Sequence, residues 1–368
     1  MASIKIRNIC KQYGSGPAAH TALSDVSMDI PDGGFVALLG PSGSGKTTVL
    51  RAIAGLETLD GGSIELDGVT VSGPQVHLPP EQRRVAVVFQ NHALWPHMTV
   101  AANVMFPLLV DQKRNSDIDQ RVKRALIDVD LQQLGDRYPD QLSGGQKQRV
   151  ALARAIVGKP WVILFDEPLA SLDVELRRDM QRLIARTRNP KTAIVYVTHN
   201  QEEALALADQ VAVLSGGRIH QIDTPLALSQ EPATRMVASF VGGRNILEVA
   251  LVAGAADTGQ VIVSLNGYQF FARCRSQLAT TAAWVSIQPG GFEYSDDVPQ
   301  SDSLFGLLVQ VDYVFFQGDS YLIECHCLSG DQRLPLTVRL PLSAKPQAGH
   351  SLCLSVVDAW VLPEVAPR

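Results

Sequence analysis

The stretch GPSGSGKTT places Gly40, Pro41, Ser42, Gly43, Ser44, Gly45, Lys46, Thr47 and Thr48 between an apolar run, FVALLG, and an amphipathic one, TTVLRAIAGL. A glycine, four residues, then Gly-Lys-Thr is the spacing of a phosphate-binding loop. Glycines let the backbone curl so that successive N–H groups point inward, and the following helix adds its positive end. Lys46 supplies a point charge near a γ-phosphate, and the Thr47 hydroxyl can ligate Mg²⁺. An ordinary glycine turn before a helix is the plain alternative. It loses because strand, loop and helix fall in the required order. A second acidic element, VILFDEP, would end an apolar strand with Asp166 and Glu167 at the carboxyl edge of a sheet, where open α/β folds bind ligands. Asp166 suits an outer position around Mg²⁺, and Glu167 suits a general base for an attacking water.

The octet LSGGQKQR, Leu142 to Arg149, raises a different question. It holds no acid, histidine or cysteine, so it brings no chemistry of its own. Ser143 can cap the helix that follows, QKQRVALARAIVG, and the glycines leave N–H donors free at a positive helix end. In a single chain that is a plain cap. As an anion site it faces outward and needs a phosphate from elsewhere.

These residues must be held by a scaffold. The chain has 368 residues, 46% hydrophobic and 19% charged, with a net charge of −5. Such a length suggests two domains, and the composition is that of a globular protein. The charge leaves no footprint for nucleic acid. The opening MASIKIRNIC lacks an apolar signal core, and runs such as WVILF are too short to cross a bilayer. Up to about residue 235, buried strands (FVALLG, RVAVVFQ, WVILF, TAIVYVTH) alternate with helices (IDQRVKRALIDV, NQEEALALAD). That alternation predicts a parallel sheet with helices on both faces. Beyond about residue 240, QVIVSLNGYQFFAR, LFGLLVQVDYVFF, DSYLIECHCL and SLCLSVVDAWVL predict short strands and a small all-β barrel. The expected domains are 1–238 and 239–368, hinged near SFVGGRN, Ser239 to Asn245. Five scattered cysteines fit reduced thiols. Cys325 and Cys327 would share one strand face; small apolar packing is favoured there over a metal site.

Taken together, the phosphate loop, Gln90 in VFQNHALWPHMTV, LSGGQKQR, LFDEP, LASLD (Leu169 to Asp173) and His199 in VTHNQEEA resemble the ATP-binding subunits of ABC transporters. The resemblance covers the whole first domain and, less strictly, the second. It implies a P-loop NTPase (ABC ATPase) domain followed by an OB- or TOBE-like barrel. It also implies a homodimer packed head to tail, with two ATP and Mg²⁺ in one interface. Ser143, Gly144, Gly145 and Gln146 would then face the γ-phosphate held by the partner's loop. Each such charge-assisted hydrogen bond is worth roughly 1.5–3 kcal/mol. The resemblance makes Tyr13 in KQYG the residue that stacks on adenine and His199 the residue that orients the water. It makes Gln90 a Mg²⁺-reaching reporter of nucleotide state, and Asp173 the end of a loop crossing the dimer. Asn200 stands where the family usually has Asp.

The sequence shows no membrane helix, no second ATPase domain and no coiled-coil insertion. That favours an importer over an exporter or a soluble ABC ATPase. Such importers work with two permease subunits, or one fused permease, at the cytoplasmic face of the inner membrane, served indirectly by a periplasmic or lipid-anchored binding protein. Trp95, Pro96, His97 and Met98 would form part of the groove for a permease helix. Gln288 and Gly290, in WVSIQPGGFEYS, replace the Arg and Glu usual in the second domain of these importers, so dimer contact is its expected role. The segment VSGPQVHLPPEQRRVAVVFQ resembles ferric-iron importers, which places iron first as cargo, ahead of 2-aminoethylphosphonate, polyamine and sugar.

Overall fold

The computed structural model describes residues 3–16, 19–110, 117–243, 245–255, 259–275, 282–295, 306–327 and 333–363. Leu304, Phe305 and Leu328 of the expected strands and Arg244 of the expected hinge lie outside them. The chain forms two compact units, Met1–Pro225 and Leu226–Arg368.

The first unit is built on a six-stranded sheet in the order Arg218–Asp223, Gln210–Ser215, Phe35–Leu39, Ala193–Thr198, Val162–Asp166, Val85–Val88. All neighbours are parallel except the first pair. Phe35–Leu39 and Ala193–Thr198 are buried at every residue, as parallel strands covered on both faces must be. Leu39 pairs with Thr198, and Asp166 with Val197, so these strands end at nearly one level.

Helices lie on both faces, but one face is shared with a second sheet that the sequence does not announce. There, Leu38, Leu164, Val195 and Val197 share a core with Val49 and Ile53 of helix Lys46–Ala54 and with Ile4, Ile6, Val26 and Ile64. The last four belong to a five-stranded antiparallel sheet, ordered His20–Ile30, Ile4–Tyr13, Gly61–Leu66, Val69–Gly73, Val76–His77. The other face of the parallel sheet carries Tyr196, whose ring meets Phe35 and Phe165 and whose hydroxyl reaches Glu203 of helix Gln201–Leu207. Among the described residues no helix is long and apolar enough to cross a membrane.

A buried arginine ties the antiparallel sheet to the helix. Arg83 is 2% exposed and donates to Leu78 O, Val71 O and the Ser72 hydroxyl on the antiparallel side. It also donates to Ala52 O and Ile53 O, carbonyls at the end of helix Lys46–Ala54. A cation there complements the negative helix terminus. Burial pushes the guanidinium down to about 10. Gly55, at φ 80°, leaves the room: a Cβ would sit 2.5 Å from Arg83 Nε.

The second unit begins within helix Pro225–Gln230 and continues through helix Arg235–Phe240. A closed barrel follows, ordered Asn245–Ala255, Gln260–Leu265, Tyr268–Arg273, Trp360–Val361, Ala282–Ile287. A five-stranded sheet, Phe292–Ser295, Ser351–Val356, Leu307–Phe316, Ser320–Cys327, Pro335–Pro341, shares its core. The division falls earlier than the expected boundary at 238/239. Ala238 packs with Trp360 and Leu362, and Trp360 Nε1 donates to Pro232 O, so this helical stretch clusters with the barrel. Gln288 Nε2 donates to Ser229 O at 2.8 Å, which gives the residue standing in place of Arg a packing role. Cys325 and Cys327 are buried in this core, which pushes their thiols up to about 12 and about 11. His326 between them turns to Asp312 at 2.8 Å. Among the described residues no cluster of three His, Cys, Asp or Glu could hold a metal ion.

Arg83→Met orphans several buried carbonyls, each costing about 1–3 kcal/mol. The expected loss in unfolding free energy is about 3 kcal/mol, read by chemical denaturation. Gly55→Ala should destabilise in the same assay, because it strains the left-handed backbone and displaces the same guanidinium.

Candidate active site

The phosphate loop runs from strand Phe35–Leu39 into helix Lys46–Ala54. Two of its glycines, Gly40 and Gly45, are demanded by close approach, while Gly43, at φ 77°, faces open space. A Cβ on Gly40 would lie 2.0 Å from Leu214 O, and one on Gly45, at φ 103°, would lie 2.5 Å from Ala22 O. The antiparallel sheet and strand Gln210–Ser215 thus press on the loop from outside. Lys46 is 5% exposed and donates to Gly40 O and Pro41 O, both at 2.8 Å. Burial lowers its ammonium pKa, while Glu167 and Asp166 oppose the shift.

Thr47 Oγ1 donates to Asp166 Oδ1 at 3.2 Å. Burial raises the Asp166 carboxyl, with the Thr47 hydroxyl opposing. The next residue, Glu167, adopts φ 46°, a left-handed backbone unusual for a side chain with a Cβ. Its N–H donates to Val197 O at 3.0 Å, which fixes that turn against the neighbouring strand. Its Oε2 lies 3.1 Å from His199 Nδ1. The structure therefore brings Lys46, Thr47, Asp166, Glu167 and His199 to one edge of the sheet. Gln90 is exposed just beyond strand Val85–Val88.

Ser143 is the N-cap of helix Gly144–Val157. Its hydroxyl accepts from Gln146 N at 3.3 Å, and the Gln146 side chain accepts from Ser143 N at 3.0 Å. This capping box gives the Gln146 side chain a local task. Gly144 and Gly145 N–H groups stand in the first turn, where no intrahelical acceptor exists. Gly144 is open, with no atom within 4 Å of a Cβ placed there. Asp173 caps helix Val174–Arg186 by accepting from Leu176 N. Asn200 caps helix Gln201–Leu207 by accepting from Glu203 N, a task Asp would perform equally.

Tyr13 is 38% exposed, and its hydroxyl donates to Glu57 at 2.9 Å. Thr48, on the phosphate-loop helix, is a second neighbour of that hydroxyl. Lys11 pairs with Glu57 at 2.8 Å and lies 5.3 Å from the Tyr13 ring centre. The loop after Gln90 is held by Asn103, fully buried, which donates to Trp95 O, Met98 O and Thr99 O. Arg154 donates to Ala93 O and His92 O and covers the Trp95 ring at 4.9 Å. Pro96 and His97 are exposed, while Trp95 and Met98 are half-buried.

Sequence reasoning missed the supporting residues Lys11, Glu57, Arg83, Asn103, Arg154, Arg177 and Glu203. No local signal marks them: exposed residues of the same types adjoin Arg83, Arg177 and Glu203. A cavity of ≈ 1070 Å³ lies away from this site, lined by Arg121, Lys159, Arg186 and Thr192 among others. Its Arg121 and Arg186 are engaged by the carbonyls Val157 O and Asp128 O at helix ends.

Residues 23–170 match the ABC transporter family. The chain is 41% identical over 335 residues to the spermidine/putrescine import ATP-binding protein PotA of Pseudomonas fluorescens, covering 91% of this chain and 90% of that one. It is 41% identical over 324 residues to the sn-glycerol-3-phosphate import ATP-binding protein UgpC 3 of Agrobacterium fabrum, covering 88% and 87%. Among solved structures, a dimeric post-hydrolysis state of the ATP-binding cassette MJ0796 bound to ADP and Pi matches at TM-score 0.54 and 30% identity. It covers 60% of this chain and 98% of that one. Relatives named for polyamine and sn-glycerol-3-phosphate import lend the ferric-iron expectation no support and agree with the polyamine alternative. The Ser-Gly-Pro segment behind the iron expectation is a hairpin, Val69–Gly73 with Val76–His77, and its Ser72 serves Arg83. Pro74 to His77, at its tip and second strand, are exposed. The chain belongs to the ATP-hydrolysing, ATP-binding subunits of ABC-type importers.

Proposed function

We propose that this chain is the motor of a polyamine importer, working as a homodimer beneath permease subunits at the cytoplasmic face of the inner membrane. The phosphate loop holds ATP, with Lys46 leaving its loop carbonyls for the γ-phosphate and Tyr13 stacking on the adenine. Glu167 takes a proton from the attacking water, and His199, 3.1 Å from the Glu167 carboxylate, holds water and γ-phosphate in line. That short contact is the observation that carries this assignment of roles. The oxygen donors Thr47 Oγ1 and Asp166 Oδ1, 3.2 Å apart, suit a hard cation such as Mg²⁺. Thr47 and Gln90 would hold it and Asp166 would orient Thr47; the ion, when bound, neutralises phosphate charge.

Gly144 and Gly145 present their N–H groups to the ATP of the partner subunit. Such bonds exist only while a γ-phosphate is present, so ATP closes the dimer and hydrolysis opens it. The loop carrying Trp95 to Met98 receives the permease. The exposed stretch at Pro96 and His97, braced by Asn103 and Arg154, supports that role. The second unit serves dimer contact. Relatives named for spermidine/putrescine support polyamine as cargo, and the UgpC relative supports sn-glycerol-3-phosphate as a second reading.

Glu167→Gln should retain ATP binding and lose about 10²–10⁴-fold in turnover, measured by phosphate release. Ser143→Arg should bind nucleotide as a monomer and fail to dimerise with ATP in gel filtration; ATP-driven dimerisation of that variant would defeat the two-subunit site. Cells lacking the gene should lose uptake of radiolabelled spermidine, restored by the intact copy and not by Lys46→Ala. Loss of sn-glycerol-3-phosphate uptake instead would establish the second reading.

A further inference from the structure

Between the groups that serve a subunit's own nucleotide and those aimed at its partner's lies an ionic pair at a buried carboxylate. Glu203 is 3% exposed. Its Oε2 accepts from the Tyr196 hydroxyl at 2.8 Å and the Thr198 hydroxyl at 3.0 Å. Thr198 immediately precedes His199, and its hydroxyl also accepts from Asn200 N at 3.0 Å. Thus Glu203 fixes the strand end from which His199 projects.

The other oxygen of Glu203 faces Arg177 Nε at 3.6 Å. That Nε is buried and has no hydrogen-bond partner. Arg177 Nη2 donates to Leu172 O at 3.0 Å, in the loop that ends at the cap residue Asp173. Its neighbour Leu176 donates its N–H to Asp173 and sets its side chain against the LSGGQ loop: a Cβ on Gly145 would be 3.3 Å from Leu176 Cδ2. The first turn of helix Val174–Arg186 therefore touches LSGGQ on one side and the support of His199 on the other.

A guanidinium and a carboxylate held just beyond bonding distance are a poised contact. A small shift of the helix toward Glu203 makes a charge-assisted bond, and a shift away leaves a charge unpaired. Seating of Gly145 against a phosphate pushes on Leu176, the adjacent residue of the same rigid turn. We propose that Arg177 and Glu203 are positioning residues that make hydrolysis at a subunit's own ATP depend on the seating of its LSGGQ loop on the partner's ATP. This rests on the two-subunit site described above.

The test is ATP hydrolysis by the purified full chain as a function of ATP concentration. Wild type should show a Hill coefficient approaching about 2, the number of sites. Arg177→Met and Glu203→Gln should bring it to about 1 and lower kcat by about tenfold, with half-saturating ATP changed by less than about twofold. The double variant should be no worse than either single one, because both cut the same link. Arg177→Lys, which keeps the charge facing Glu203, should recover part of the cooperativity, a response that a loss of folded protein would not give. A wild-type coefficient of about 2 that persists in Arg177→Met overturns the relay alone. A wild-type coefficient of about 1 also overturns the relay, because uncoupled sites need no link, whereas the two-subunit site stands or falls separately on ATP-driven dimerisation of Ser143→Arg.

Discussion

Register between three parallel strands sets everything else in the first unit. Phe35–Leu39, Ala193–Thr198 and Val162–Asp166 are consecutive in the sheet, about 4.8 Å apart. Leu39 stands opposite Thr198, and Asp166 opposite Val197. The phosphate loop, His199 and the Asp166–Glu167 pair thus leave the sheet side by side. A slip of one residue in any pairing would turn its side chains to the opposite face and dismantle the site. Burial on both faces holds that register by the hydrophobic effect along the length of the strands.

The two faces of the sheet are used differently. One face supports the nucleotide: helix Lys46–Ala54 lies on it, and the antiparallel sheet bearing Tyr13 closes over the same core. Arg83 ties the helix end to that sheet through carbonyl and hydroxyl oxygens, so its charge is answered by dipoles. The opposite face carries a polar apparatus within an apolar setting, where Tyr196 and Thr198 both donate to Glu203. Carbonyl and hydroxyl dipoles thus answer a buried cation on one face, and hydroxyl donors answer a buried carboxylate on the other.

Much of this was legible in the amino-acid order. Parallel strands buried on both faces read as unbroken apolar runs, so FVALL, VILF and AIVYV declare themselves, and the glycines and acids after them mark the sheet edge to which the structure brings Lys46, Thr47, Asp166 and Glu167. The antiparallel sheet was not among the expected elements. Its strand Ile4–Tyr13 is broken by register shifts around Ile6, Ile9 and Lys11. Asn8 in that strand and Asp25 in its partner both take left-handed backbone, which spoils the alternation. Burial of single polar residues was equally silent: Arg83 adjoins exposed Arg84, and Glu203 adjoins exposed Glu202, with nothing local to separate them. The change from helical to strand patterning near residue 240 marked where the strands begin. It did not mark the packing boundary, because Ala238 belongs with Trp360. The Ser-Gly-Pro segment did not identify the cargo: it forms a hairpin whose Ser72 accepts from Arg83 and whose Pro74 to His77 are exposed.

Glu167 occupies left-handed backbone at φ 46° beside another acid. Holding a non-glycine residue there costs on the order of 1–3 kcal/mol. A glycine or asparagine at this position would ease that strain, and under the proposed roles it would also remove the base. Catalytic silence and conformational comfort therefore lie in the same direction for a drifting gene. Nothing in the backbone of this turn calls for an acid there, since a smaller residue would adopt it with less strain.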